Sequence, residues 1–156
     1  MLDELRELYQ EVILDHGKNP RNLRRIEDAD HSAHGHNPMC GDTLQVYLKT
    51  NGQGIIEDVS FVGKGCAISM ASASMMTEIL KGKTVREAEV LFEGFHRLCT
   101  EDDADLSAAI ETDEDAVDRL QVLAGVREFP VRVKCATLAW HTLDAAIHEK
   151  KEITTE

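Results

Sequence analysis

The chain has 156 residues, a length that suits one domain with its own buried core. Its 29 Asp and Glu outnumber 17 Lys and Arg and leave a net charge of −12. That excludes a general nucleic-acid binder, which needs cations to replace the counterions on phosphate. No apolar run is long enough to span a bilayer, and the acidic, amphipathic opening MLDELRELYQEVILDHG is unlike a signal or transit peptide. A cytoplasmic protein with neither membrane nor nucleic-acid partner is expected.

Leu2, Leu5, Tyr9, Val12 and Ile13 recur at helical spacing and predict a first helix, with Gly17 as its C-cap. Residues 18–39 are polar, carry two prolines and lack periodicity, and read as one long loop. Thr43–Thr50 alternates, with Leu44, Val46 and Leu48 on one side, as a half-buried strand does. Asn51-Gly52 signals a hairpin turn, and residues 55–62 form the antiparallel partner strand. A short third strand is expected to run into Gly65-Cys66.

Ser69–Leu80 predicts a helix rich in Ala and Ser, whose small side chains permit close approach of another element. Thr84-x-x-Glu87 is a capping box opening the next helix, with Val85, Ala88, Leu91, Phe92 and Phe95 inward. A short helix is expected over Glu114–Leu123. The last helix should begin near Val131–Cys135, after Pro130, and bury Leu138, Ala139, Thr142, Leu143, Ala146 and Ile147. The acidic runs EDDAD (101–105) and ETDEDAVD (111–118) read as a solvated face, with steering of a basic protein as the alternative. The order predicts an α+β fold, a small antiparallel sheet of about three strands packed against several helices. It is read as a single domain over 1–156 with a frayed tail at 150–156.

Four cysteines in a cytosolic chain are poor candidates for structural disulfides. Three of them stand out. Cys40 and Asp42 flank Gly41 in HNPMCGD, and residues two apart in extended chain project to the same side. Cys66 follows Gly63-Lys64-Gly65 and precedes a helix, whose N-terminus favours a thiolate. Cys135 is expected near a helix start, beside the cations Arg132 and Lys134. Three thiolates and one carboxylate suffice for one tetrahedral metal ion, or for anchoring a small iron–sulfur cluster. Cys99, in HRLCTE, reads as a buried inert thiol, although His96 lies three residues before it. That pair is the only hint of a cysteine hydrolase, and no oxyanion signal accompanies it. His31, His34 and His36 read as loop residues, with metal ligation as the alternative, and His141 and His148 have no evident partner.

Taken together, NPMCGD, the strand–turn–strand after it, GKGCAISMASASMM and VRVKCATLAWHTL resemble the IscU/NifU-type iron–sulfur assembly proteins over nearly the whole chain. Within that family the chain is most similar to the SufU branch. The acidic stretch around 100–128 resembles that branch's helical insertion, and Lys134 stands where scaffold-type IscU proteins place a His. The resemblance implies an IscU/SufE-like fold and Zn²⁺ on Cys40, Asp42, Cys66 and Cys135. It also implies that Cys40 accepts a persulfide sulfur from a SufS-type cysteine desulfurase, for onward transfer to a SUF-type scaffold or apo iron–sulfur proteins. This makes the chain a sulfurtransferase-like partner rather than a stand-alone enzyme. Arg132 and Lys134 are candidates for stabilising the persulfide. The alternative is a scaffold carrying iron or a [2Fe–2S] cluster on the same ligands, which Lys134 disfavours because an ammonium has no lone pair for iron. A zinc-stabilised interaction module is a further alternative, but it lacks the short C-x-x-C pairs of closed structural sites.

Overall fold

A computed structural model describes residues 2–149 and 152–154. In chain order the elements are α1 (Leu2–Lys18), β1 (His31–Asn37), β2 (Asp42–Thr50), β3 (Ile56–Lys64), α2 (Ala67–Leu80), α3 (Val85–Thr100), α4 (Ser107–Leu120), a 3₁₀ helix (Gln121–Glu128), α5 (Pro130–Ile147) and β4 (Glu152–Thr154). The sheet order is β3-β2-β1-β4. The first three strands pair antiparallel, and β4 runs parallel to β1 at the edge. This is the expected α+β layout, with helices packed on a small sheet.

The third strand is not where it was expected. Residues 31–37, read as loop, form β1, whereas the run into Gly65-Cys66 is simply the end of β3 at Lys64. The reason is visible in the side chains. β1 buries Ala33, Gly35 and Asn37, residues too small or too polar to give a hydrophobic alternation. The β2–β3 turn is also longer than a two-residue hairpin. Asn51 O accepts from Gly54 N–H, and the Asn51 side chain accepts from the amides of Gln53 and Ile55. Gly54 is the turn residue at positive φ, +77°. The tail differs too. Glu152–Thr154 adds to the sheet beside His34–His36 instead of fraying, while residues 150, 151, 155 and 156 lie outside the described set.

α5 packs across β1 and β2, and α2 lies between α1, α5 and β3. The core joins Leu44, Val46 and Leu48 of β2 to Val59 and Phe61 of β3, to Met75 and Met76 of α2, and to Trp140 of α5. Every residue of α2 from Ala71 to Thr77 is buried. Two of its hydroxyls tie it to neighbours: Ser72 Oγ donates to the Ala136 carbonyl at 2.5 Å, and Ser74 Oγ accepts from the Arg21 amide at 2.8 Å. Small side chains thus let α5 and the 19–23 segment lie directly against α2.

Helix boundaries follow local chemistry. α1 runs one residue beyond Gly17, which packs against Ala67 rather than ending the helix; the side chains of Leu2 and Leu5 lie outside the described set. The capping box of α3 is complete, with Glu87 N–H donating to Thr84 Oγ1 and Thr84 N–H donating to Glu87 Oε1. α4 is kinked at Asp113, whose carboxylate accepts from Ala116 N–H at 3.0 Å and so caps the second half. That half, with the following 3₁₀ turn, covers the helix expected over Glu114–Leu123. The acidic faces are exposed and tied by ion pairs such as Lys83–Asp113 at 2.7 Å and Arg127–Asp102 at 3.3 Å. α5 starts at Pro130 itself, in the first-turn position where a missing N–H costs nothing. Among the described residues, no helix is long and apolar enough to cross a membrane.

Candidate metal centre

The β1–β2 hairpin carries the first two ligand candidates at its tip. Asn37 and Asp42 pair across it, and Pro38–Gly41 form the turn. Asn37 O accepts from Gly41 N–H at 2.9 Å and more weakly from Cys40 N–H at 3.3 Å, while Asn37 Oδ1 accepts from Met39 N–H at 3.2 Å. Gly41 sits at φ +72°, a left-handed conformation that a side chain would strain. The turn thus sets Cys40 half-buried at the tip and Asp42 buried at the start of β2.

Cys66 comes from the β3–α2 junction, next to that tip. It is the N-cap of α2, and its sulfur accepts from Ser69 N–H at 3.4 Å. Its own N–H donates to Asp42 Oδ1 at 2.9 Å, and its Sγ lies 3.9 Å from Asp42 Oδ2. One carboxylate oxygen therefore anchors the loop while the other faces the sulfur. Gly65 makes this possible, because a Cβ there would stand 2.7 Å from Asp42 Oδ1.

Cys135 arrives from α5, fully buried, with its Sγ 3.2 Å from Cys40 Sγ. It lies in the second turn rather than at the helix start, so the helix N-terminus does little for it. The ligand atoms of Cys40, Asp42 and Cys135 all fall within 4.8 Å of one another, and Cys66 borders them through Asp42. A Zn–S bond of about 2.3 Å places tetrahedral sulfurs roughly 3.8 Å apart. Cys40, Asp42 and Cys135 therefore need only small shifts to share one ion, whereas Cys66 has to move in from the border of the group. Three soft sulfurs and one hard oxygen suit zinc or iron rather than magnesium or calcium.

Without an ion the thiols share protons unequally. Cys66 is drawn down to about 6, first by the neighbouring Cys135 thiol and then by the Ser69 and Ile68 amides, against the opposing pull of burial. Cys135 moves up, for the reciprocal reason and because it is buried. The guanidinium of exposed Arg132 is held protonated by the Cys66 and Cys135 sulfurs, so it stands beside both. Lys134 is half-buried two residues further along.

Other cysteine and histidine candidates lie elsewhere. Cys99 is buried in the α3 core, and burial pushes its thiol up to about 12. His96 is exposed and turned toward Phe92 and His141, so the two do not form a catalytic pair. His34 Nε2 bonds Thr43 Oγ1 at 2.7 Å across the hairpin, while His31 and His36 lie along the same strand. None of the three joins the ligand cluster. Two supporting residues were missed. Asn37 holds the turn and aims its amide at Cys135 Sγ at 3.9 Å. Ser69 caps the Cys66 sulfur. The Asn-Pro pair opening the turn was the available signal for Asn37; Ser69 had none beyond following Cys66 by three.

The molecule is thus a small α+β protein with Cys40, Asp42 and Cys135 gathered at one end of its sheet and Cys66 at their border. Residues 8–94 match the NifU-like N-terminal domain. The chain is 40% identical to the zinc-dependent sulfurtransferase SufU of Bacillus subtilis, over 92% of each chain. It is 36% identical to the iron–sulfur cluster assembly scaffold protein IscU of Streptococcus pyogenes, over 94% of this chain and 86% of that one. A crystal structure of a candidate scaffold for the SUF system from Fervidobacterium islandicum superposes with a TM-score of 0.77 at 33% identity, covering 90% of this chain and 97% of that one. The chain belongs to the NifU-like N-terminal domain family, the IscU/SufU group of iron–sulfur assembly proteins.

Proposed function

We propose that this chain is a cytoplasmic sulfur acceptor for iron–sulfur cluster assembly. It binds Zn²⁺ through Cys40, Asp42, Cys66 and Cys135 and takes persulfide sulfur from a SufS-type cysteine desulfurase at Cys40. The observation that carries this is the unequal setting of the three thiols. Cys135 is fixed inside a helix, and Cys66 is tied by the Ser69 amide and through Asp42. Cys40 rides on a turn tip and borders a cavity of about 430 Å³ lined by Phe129, Pro130, Val131 and Arg132. It is the sulfur best placed to leave the cluster and meet a partner. The zinc-dependent sulfurtransferase among the relatives supports the metal and the reaction class.

Bound zinc supplies positive charge that keeps the thiols ionised at neutral pH. The chain's own residues do the rest. Asp42 and Cys66 hold one another through the Cys66 amide, so the site keeps its shape when Cys40 moves out. The Cys40 thiolate attacks the outer sulfur of the desulfurase's Cys–S–SH. A Cys40–S bond forms, the desulfurase S–S bond breaks, and its cysteine leaves as thiolate. The product is a Cys40 persulfide, which a SUF-type scaffold or an apo iron–sulfur protein would consume. Arg132, already beside the Cys66 and Cys135 sulfurs, is placed to balance the added negative charge. Lys134 is the weaker candidate for that role. The scaffold reading, with a [2Fe–2S] cluster on the same four residues, draws on the IscU relatives.

Turnover of a cysteine desulfurase with this protein added, zinc-loaded and metal-stripped, tests the proposal. The expected result is stimulation by the zinc form alone, lost in Cys40→Ala. Absence of stimulation, together with cluster formation once iron and sulfide reach the stripped form, would replace sulfur transfer by the scaffold role.

A further inference from the structure

Beyond Cys135, α5 carries His141 and Asp144 at i and i+3 on one face, and His148, its C-cap, follows at i+7 beside Asp144. α3 presents Glu89, Glu93 and His96 at i, i+4 and i+7. The two faces meet around a cavity of about 660 Å³, and Phe92 stands in its wall. His148 Nε2 lies 3.3 Å from Asp144 Oδ1 and 3.7 Å from Glu89 Oε1. The rings of His96 and His141 are 5.6 Å apart, both edge-on to Phe92. His148 follows Cys135 by thirteen residues, about 20 Å of helix, so this cluster is separate from the thiols.

We propose that this cavity is a second metal site, taking a first-row divalent cation on His148, Asp144 and Glu89. Donor chemistry selects the class. Imidazole favours zinc, nickel, copper or iron(II), and carboxylates complete such a shell, whereas magnesium and calcium prefer oxygen alone. Two of the three donor separations agree with it, those of His148 to Asp144 and to Glu89, while the two carboxylates must close toward one another around the ion. Bonds of about 2.1 Å set neighbouring donors of one shell about 3.0–3.5 Å apart, close to the separations around His148.

Charge agrees as well. The walls hold the carboxylates of Glu89, Glu93, Glu101 and Asp144 against one fixed cation, Arg97, which already pairs with Glu93 at 3.1 Å. His141 is kept neutral by burial and by His96, so the cavity retains its negative balance and a spare imidazole lone pair. The Glu89 and His148 side chains are 40% and 53% exposed and free to turn inward. No three donors here are gathered as tightly as Cys40, Asp42 and Cys135. The second site is therefore the weaker of the two and exchanges its ion more readily.

The test is a Zn²⁺ titration of the full chain, followed by calorimetry and by the imidazole proton resonances. The expected result is an equivalent of Zn²⁺ that shifts the His148 signals and leaves those of His31 in place. This reading is independent of what the thiols do, so it stands or falls apart from the proposed function. His148→Ala should weaken that equivalent by at least about 100-fold, the upper end of what losing even an outer-shell partner costs a metal site. Asp144→Asn should weaken it too, and His31→Ala should leave it unchanged. The folded state of the exposed-site variants is checked by circular dichroism. Imidazole signals that follow pH but not metal, or a second equivalent that survives His148→Ala, would reduce the cluster to ordinary ion pairing and overturn the site.

Discussion

Cys66 caps α2 and Cys99 lies in α3, the next helix along the chain, and their surroundings drive them in opposite directions. Cys99 sits on α3 within the apolar core, where burial raises its thiol to about 12 and only Arg127 pulls the other way. Cys66 precedes α2, receives the Ser69 amide, neighbours the Cys135 thiol, and falls to about 6. Depth accounts for the rise at Cys99, but it does not decide which thiols join the centre. Cys135 is as buried as Cys99, yet it touches the Cys40 sulfur and the Asn37 amide. A thiol becomes useful here where loops deliver polar partners to it. The hairpin tip at 38–41 and the Gly-rich junction at 63–66 do so, whereas the middle of α3 does not.

The widest split between the two regions should appear in metal content. Cys135→Ala should lower Zn²⁺ affinity by at least about 100-fold, read by a competing chelator. Cys99→Ala should leave it unchanged, and equal losses in both variants would break the contrast. A smaller but sharper split is expected in alkylation of the metal-free chain. The thiolate fraction of Cys66 rises with pH through about 6, so its modification by iodoacetamide should reach half its plateau there. Cys99 should resist until pH approaches 12 or the chain unfolds. Near neutral pH the two rates should differ by at least about 100-fold, because the thiolate is the nucleophile and Cys99 is also shielded. Peptide mapping after timed quenching separates them.

Much of the centre could be read from residue order alone. The Cys-Gly-Asp spacing, the glycines before Cys66 and the Pro that opens α5 are local features that survive without a fold. What escaped was non-local. β1 was hidden because Ala33, Gly35 and Asn37 carry little apolar area, although Gly35 must be small where Thr142 of α5 crosses it. Nothing in the sequence spacing separates Cys40 as the mobile ligand from Cys135 as the fixed one; that follows from a turn tip meeting a helix interior. The pairing of the α3 and α5 histidines was likewise invisible, since each helix shows only a few imidazoles with no partner. Gly65 tests how local the site is. Its Cβ would crowd Asp42, whereas one on Gly52 would meet nothing within 4 Å. Gly65→Ala should cost about tenfold in metal affinity, the scale of an outer-shell change, and Gly52→Ala nothing.

The smallest expected effect asks whether the helical region supports the centre at all. Thr84 caps α3 through a reciprocal pair of hydrogen bonds with Glu87, and the helix it starts packs on α4 and α5. Thr84→Ala removes the side-chain acceptor and should lower stability by about 1 kcal/mol, seen as an earlier urea midpoint with an unchanged slope. α5 also carries Cys135, so mechanical coupling between the two regions would appear as weaker Zn²⁺ binding in the same variant. The geometry argues against such coupling. The centre is closed by the β1–β2 turn, the β3–α2 junction and the second turn of α5, and no residue of α3 belongs to it. The cap should therefore change the denaturation curve and leave the metal titration where it was. A shift in both would show that α3 sets the position of Cys135 through α5, making the helix that buries Cys99 part of the thiol centre.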